Sequence, residues 1–470
     1  MEEEKFGISH EEEIREVIQK FERMKKDNKN FFFDVIEFET IIDFYIESNN
    51  SARAYEAAII ASSQHPGSPS IQLRKARVLI ERGRAFEAIR ILKKLEGIEP
   101  GNHEIYIAKG TALGMLGDIQ GAKKMFDLAL TKDSDETENI LYAIASVLQN
   151  LNYYEHLIPY LIRLIELEPG FTAHIYDLAY AYEKIQDYEK SIKYYRLYLD
   201  DEPFSDSAWY NLGVIFNKLE QSENALEAYE YALAINNQNT FALFNKGNLL
   251  CNLDRYTDAI PVYHEYLEDE PDSFEAMTYL AECYDKTGNQ ILARKYYNDA
   301  IEIAPEFADP WFGLGVMAVS EKDYTKALGY LRKAVKLDTE NPEIWHLLGK
   351  VNNFNNDKKV ALRCFREALK IDPFYDEVWA DLGKIILDDG FINRAFPFLI
   401  QAYRITGDVP GINYLLSSFS LHMGKSDDAV AYLRNALEMD SELFNDFREF
   451  FPDSLVNKNI RKLLLKNNIE

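Results

Sequence analysis

Cysteine is scarce in this chain, with three residues in 470: Cys251, Cys283 and Cys364. None stands in a C-x-x-C pair, so the sequence indicates neither a disulfide framework nor a thiolate zinc site, and a reducing compartment suits it. Long apolar runs are missing as well. No stretch approaches the roughly 18–20 residues that cross a bilayer. The opening MEEEKFGISHEEEIREV is acidic and lacks an apolar segment, so it does not read as a secretory leader. Positive charge is short too: 52 Lys and Arg face 78 Asp and Glu, for a net charge of −26. Such a surface repels phosphates and anionic headgroups, which argues against nucleic-acid and membrane partners. A soluble, cytoplasmic protein is the expectation. At 47% hydrophobic and 13% aromatic, the chain is too apolar to be disordered.

Tryptophan is almost as rare, yet its placement is ordered. Trp209 and Trp311 are 102 residues apart, three times the 34 that separate Trp311 from Trp345 and Trp345 from Trp379. Set on this period, the chain divides into twelve blocks starting at 35, 69, 103, 138, 172, 206, 240, 274, 308, 342, 376 and 410; all span 34 residues except the 35-residue block at 103. Position 4 of a block holds every tryptophan. Position 8 is Gly, Ala or Ser in all blocks but the first, where it is Ile42, and position 20 is Ala or Ser in all but the fourth, where it is Leu157.

Positions 4, 7, 8 and 11, such as Trp209, Leu212, Gly213 and Phe216, form one stripe of an α-helix. Positions 20, 24 and 27, such as Ala225, Tyr229 and Ala232, form a stripe on a second helix. Small residues at 8 and 20, facing each other, let the two helices approach closely. A proline at position 32 (Pro66, Pro100, Pro169, Pro203, Pro271, Pro305, Pro373) ends the second helix. The tryptophans read as buried packing residues.

These columns, with the W-x-x-L-G outline of Trp209–Gly213, resemble the tetratricopeptide repeat, a helix–turn–helix unit of this period. The resemblance implies an all-α fold: a right-handed superhelical solenoid of about twelve units over residues 35–443. Caps are expected at 1–34, where Ile14, Val17, Phe21 and Met24 share a helix face, and at 444–470, whose last helix carries Lys458, Arg461, Lys462 and Lys466 and is broken from the array at Pro452. One hairpin cannot bury its stripes alone, so stability comes from stacking neighbours.

Strings that imitate catalytic motifs fail on context. GLGVMA at 313–318 fits a dinucleotide fingerprint but falls inside a repeat helix with no strand before it. GKS at 424–426 lacks the glycine five residues earlier, where Phe419 stands, and HEYLE at 264–268 has no second histidine. No enzymatic site, metal site or cofactor is expected.

Function is expected on the stripe at positions 2, 5, 9 and 12 of the first helix, which in the resembling family lines the concave groove that holds extended peptides or partner helices. Position 5 reads Tyr142, Tyr176, Tyr210 and Phe244 in consecutive blocks; beside it stand Asn211 and Asn245 at position 6, and Tyr180 and Asn248 at position 9. An amide donates to and accepts from a peptide backbone at once, and tyrosine supplies contact area at low entropic cost. The same aromatics also suit wedging between adjacent units, and the sequence leaves both roles open. The clamp by which such repeats grip chaperone C-termini is absent, because Phe244, Tyr279, Asp309 and Gly313 stand where it needs basic or amide residues.

The groove acids Glu275, Glu282, Asp285, Asp309 and Glu343 favour a neutral or basic protein ligand. The reading is a non-enzymatic interaction scaffold, with self-association through the terminal helices left open. Its rival is a substrate-recruiting or regulatory subunit of an enzyme assembly, for example of glycosyltransferase type.

Overall fold

The structure is a computed structural model that describes residues 2–27, 31–133, 135–388, 390, 392–448 and 458–467. Among the described residues the regular elements are helices, and no strand occurs. The chain divides into two units, Met1–Ile235 and Asn236–Glu470.

In the first unit, α1 (Glu2–Lys26) precedes antiparallel-type pairs: α2 (Val35–Glu47) with α3 (Ser51–Gln64), α4 (Pro69–Glu81) with α5 (Ala85–Ile98), and α6 (His103–Met115) with α7 (Ile119–Ala129). There follow α8 (Thr137–Asn150) with α9 (Tyr154–Leu167), α10 (Ala173–Lys184) with α11 (Tyr188–Asp201), and α12 (Asp206–Lys218) with α13 (Ser222–Ile235). The second unit repeats the plan with α14 (Thr240–Asn252) and α15 (Tyr256–Asp269), α16 (Phe274–Lys286) and α17 (Gln290–Ile303), and α18 (Asp309–Ser320) and α19 (Tyr324–Leu337). Its remaining pairs are α20 (Pro342–Phe354) with α21 (Lys358–Ile371), α22 (Asp376–Asp388) with α23 (Ile392–Thr406), and α24 (Pro410–His422) with α25 (Ser426–Met439). The short α26 (Phe444–Phe447) and α27 (Lys458–Lys466) close the described chain. Within each unit a pair packs on the next in sequence: α3 on α4 and α9 on α10 in the first, α15 on α16 and α19 on α20 in the second. Each unit is thus a solenoid of stacked hairpins.

The turn inside each hairpin has one fixed backbone feature. Position 15 of every block, from Asn49 to Gly424, is left-handed, with φ between +56° and +85°. Five of these residues are glycine, but Asn49, Asn152, Gln186, Glu220, Asp254, Lys322 and Asn356 are not. The next residue caps the second helix: Asn50, Asp118, Asp187, Asn289, Asp323 and Asp357 each accept a backbone N–H three residues on. The position-32 prolines Pro66, Pro100 and Pro203 directly follow the C-caps His65, Glu99 and Glu202.

Small residues at 8 and 20 do meet. Ser191 Oγ donates to the Ala179 carbonyl at 2.8 Å, and Ser417 Oγ donates to the Ala429 carbonyl at the same distance. Glycine at 8 has a second reason that the sequence reading did not contain: at Gly110, Gly213, Gly247 and Gly349 the ring at position 24 lies over it, and at Gly315 the Leu331 side chain does. A Cβ on Gly213 would stand 2.5 Å from the Tyr229 ring, and one on Gly247 would stand 2.8 Å from Tyr263.

The tryptophans differ from the expectation of uniform burial. Trp379 is buried, but Trp209, Trp311 and Trp345 are half-buried. Their shared role is a bond. Each indole N–H donates to the carbonyl six residues earlier: Pro203, Pro305, Thr339 and Pro373, at 2.9–3.2 Å. Tyr106, also at position 4, donates its hydroxyl to Pro100 in the same way. The position-4 side chain therefore ties the first helix to the loop that precedes it.

At the ends, Phe21 and Met24 of α1 are buried against Phe38, Ile41 and Ile42. In α27, Ile460 and Leu464 are buried while Lys458, Arg461, Lys462 and Lys466 face outward. Pro452 lies outside the described residues. Among the described residues no helix is long and apolar enough to cross a membrane.

Candidate functional site

The first-helix stripe takes its geometry from the hairpin beneath it. A residue at position 5 lies one turn from position 8 and so leans on the same second-helix rings. In the first unit Tyr176 meets Tyr195 and Tyr198 edge-on, with centroids at 5.5 and 5.2 Å. Tyr210 sits 6.1 Å from Tyr229. In the second unit Phe244 meets Tyr263 at 6.5 Å and Tyr266 at 5.3 Å. All three position-5 rings are half-buried.

Asn211 joins consecutive hairpins. Its Nδ2 donates to the hydroxyl of Tyr176 at 2.9 Å and to that of Tyr195 at 3.0 Å. Tyr195 is fully buried, so this donor meets a hydrogen-bonding need that water cannot reach. Both of these Asn211 donations are made inside the protein. In the second unit the Tyr263 hydroxyl donates to Asn248 Oδ1 at 2.6 Å, and Tyr279 stacks on the Tyr263 ring at 6.1 Å. Asn245 is half-buried on the same helix.

Tyr142 belongs to a different cluster. Its ring lies against His174 at 4.8 Å and Phe171 at 6.4 Å, and its hydroxyl donates to Glu168 at 3.0 Å. Burial and the Glu168 carboxylate push the hydroxyl up to about 12. Tyr180 meets Tyr154 edge-on at 6.0 Å and carries Lys184 Nζ 4.4 Å above its ring. The structure therefore brings Tyr176 together with Asn211, and Phe244 together with Asn248; Tyr142 and Tyr180 stand in separate contacts.

Charge on this stripe is uneven. Arg74 is engaged by Glu39 and Asp43, and Arg77 by Glu104. In the second unit burial lifts the carboxyls of Glu282, Asp285 and Asp309 above their ordinary values. At Glu282 the charges of Asp285, Asp309 and Glu343 add to that rise, with Lys286 opposing it. A feature absent from the sequence reading is a cleft of about 510 Å³ in the first unit, lined by Asp43, Ile46, Glu47, Arg77, Ile80, Ile107 and Thr111 among others. Those residues fall mostly at positions 5, 9, 12 and 13 of the first three blocks, so the block register could have located it. Among the described residues no group of three or more His, Cys, Asp or Glu side chains is placed to hold a metal ion.

Two family models, both described as tetratricopeptide repeat, match the chain. One covers 176–240, 244–306 and 292–342, and the other covers 342–375 and 410–443. No curated protein matches it. Solved structures that resemble it include the MamA protein, at 20% identity and TM-score 0.34 over 37% of this chain and 94% of that one. PilW, a type IV pilus biogenesis factor, matches at 21% and 0.39 over 44% and 97%. The APC/C hetero-tetramer Cut9–Hcn1 matches at 13% and 0.40 over 82% and 89%. Likenesses this distant carry no argument about function. The repeating hairpins, their packing columns and the family matches within residues 176–443 agree: the chain belongs to the tetratricopeptide repeat family and is a protein–protein interaction scaffold of the α-solenoid kind.

Proposed function

We propose that the stripe at positions 2, 5, 9 and 12 binds an extended peptide or partner helix of neutral or basic character. Within the first unit Tyr142, Tyr176, Tyr180, Tyr210 and Asn211 would make such contacts, and within the second, taken by itself, Phe244, Asn245 and Asn248 would. The observation that carries the reading is the acidic set Glu282, Asp285 and Asp309: burial lifts all three carboxyls, and at the half-buried Glu282 the charges of Asp285 and Asp309 add to the rise. A cationic side chain laid among them relieves that repulsion, so binding and charge are coupled. Rings that already pack on their own hairpin are pre-ordered, and a ligand covering their open faces meets little further entropy cost. The reading includes twelve repeats with helical caps at both ends.

The experiment is titration of the full chain with labelled peptides of matched length, one lysine-rich, one neutral and one glutamate-rich. The lysine-rich peptide is expected to bind tightest, to weaken with salt, and to lose about tenfold on Glu282→Gln with Asp309→Asn. Tyr210→Ala is expected to weaken binding of the neutral peptide while leaving the melting temperature close to wild type. Equal affinity for all three peptides, unmoved by the charge variant, would overturn the reading.

A further inference from the structure

Two of the three cysteines, 32 residues apart and in different block columns, meet in space. Cys251 near the end of α14 and Cys283 on α16 are free thiols whose Sγ atoms lie 3.2 Å apart, joining two adjacent hairpins of one unit. Cys283 is buried, while Cys251 is half-buried and open to a small reagent. The Tyr263 hydroxyl lies 3.7 Å from Cys251 Sγ. Contact with Cys283, then with Tyr263, holds the Cys251 thiol below its ordinary value against the opposing effect of burial; Cys283 is pushed up by Cys251 and by burial. Of the two sulfurs, the less buried Cys251 is the one a reagent reaches first, with the buried Cys283 packed behind it. Cys364 on α21 offers the contrast, since it is buried and burial pushes it up to about 11.

We propose that Cys251 and Cys283 form an oxidant-responsive modification site that closes to a disulfide between neighbouring repeats, with a hydroperoxide as the co-reactant. The Cys251 thiolate attacks one peroxide oxygen, the O–O bond breaks, and the departing hydroxide takes a proton and leaves as water. Cys251 is then a sulfenic acid, oxidised by two electrons. Cys283 attacks that sulfur, the S–S bond forms, the S–O bond breaks, and the thiol proton leaves with the hydroxide as a second water. Two thiols and one hydrogen peroxide give one disulfide and two waters. The sulfurs need to close by only about 1 Å to reach bonding distance. The new bond would pin α14 to α16 beside Phe244, Asn248 and Tyr263, so oxidation would stiffen the joint that shapes that part of the face.

The test exposes the full chain to hydrogen peroxide, alkylates remaining thiols with iodoacetamide and maps the peptides by mass. The expected product is a Cys251–Cys283 linked peptide, with Cys364 still alkylated and Cys251 reacting at least about tenfold faster than Cys364. Cys283→Ser should leave Cys251 trapped as sulfenic acid, Cys251→Ser should abolish the reaction at the pair, and the oxidised wild type should melt higher until dithiothreitol is added. Oxidation that falls equally on Cys364, or linkage only between chains, would overturn the proposal. So would an unlinked pair in wild type whose Cys251 is fully oxidised.

Discussion

Around Tyr195 in the unit Met1–Ile235, a buried hydroxyl takes its hydrogen bond from Asn211, a residue of the following repeat. Around Tyr263 in the unit Asn236–Glu470, the equivalent hydroxyl donates to Asn248 of its own repeat, and the following repeat supplies the stacked ring of Tyr279. Both tyrosines occupy position 24, and Tyr263 lies over the small residue at position 8 of its repeat, Gly247. In the first joint a polar bond crosses between repeats; in the second the polar bond is local and an aromatic contact does the crossing. A repeat family fixes the ring that must be buried, while the satisfaction of its hydroxyl is settled joint by joint. At Tyr297 the following repeat offers Gly313, whose missing side chain makes room for the ring.

The comparison is sharpest in the amides. Asn211→Ala should cost about 2–3 kcal/mol in urea unfolding, because it strips a fully buried hydroxyl of its donor. Asn248→Ala should cost about 1 kcal/mol, since Cys251 Sγ stays within reach of the Tyr263 hydroxyl. Adding Tyr195→Phe to Asn211→Ala should recover part of the loss, because the orphaned oxygen goes with it. Equal costs for the two amides would erase the distinction between the joints.

A third joint brings charge into the comparison. Asp376 Oδ1 accepts the Gly411 backbone N–H at 2.7 Å across the step from α22 to α24. Burial lifts its carboxyl to about 6, against the Gly411 bond and with help from Asp440. A raised carboxyl holds its proton in the folded chain between about pH 4 and 6, where the unfolded chain has already released it. Stability from this group is therefore complete below about pH 4 and is lost as pH rises through 6. Asp376→Asn keeps an acceptor for Gly411 and should gain about 1 kcal/mol at pH 7.5, allowing for solvent screening, and nothing at pH 4. A gain independent of pH would assign the effect to packing. The smallest expected change is in the turns. Lys322→Gly relieves a left-handed residue that carries a Cβ, against some loss from a freer unfolded chain, for a net gain of about 0.5 kcal/mol. A fall in the melting temperature would show that Lys322 is not strained there.

The helices and their pairing were legible because close approach constrains residue identity: a small residue suits the place where a side chain lies on the backbone, and the columns at 8 and 20 record it in all but one block each. Position 15 was not legible, since Asn, Asp, Gln, Glu, Lys and Gly all adopt the same left-handed conformation there and leave no common letter. The Asn211 joint was hidden for another reason. It links positions 5, 6 and 24 across two blocks, and a tyrosine-rich chain offers many such combinations. The Cys251–Cys283 contact falls between columns 12 and 10, so no single column announces it. Of the candidate residues, the aromatic identities were readable, but the commitment of the Asn211 donors to its neighbours needed coordinates.

The left-handed residue at position 15 has a consequence for how such a chain tolerates change in length. It recurs in every block, including the one of 35 residues, where it is Gly117. The extra residue of that block must therefore lie downstream of the hairpin turn, and α7 ends early, at Ala129, with α8 beginning only at Thr137. Insertions are absorbed where one hairpin hands over to the next, and the bend within a hairpin acts as the reading frame of the array.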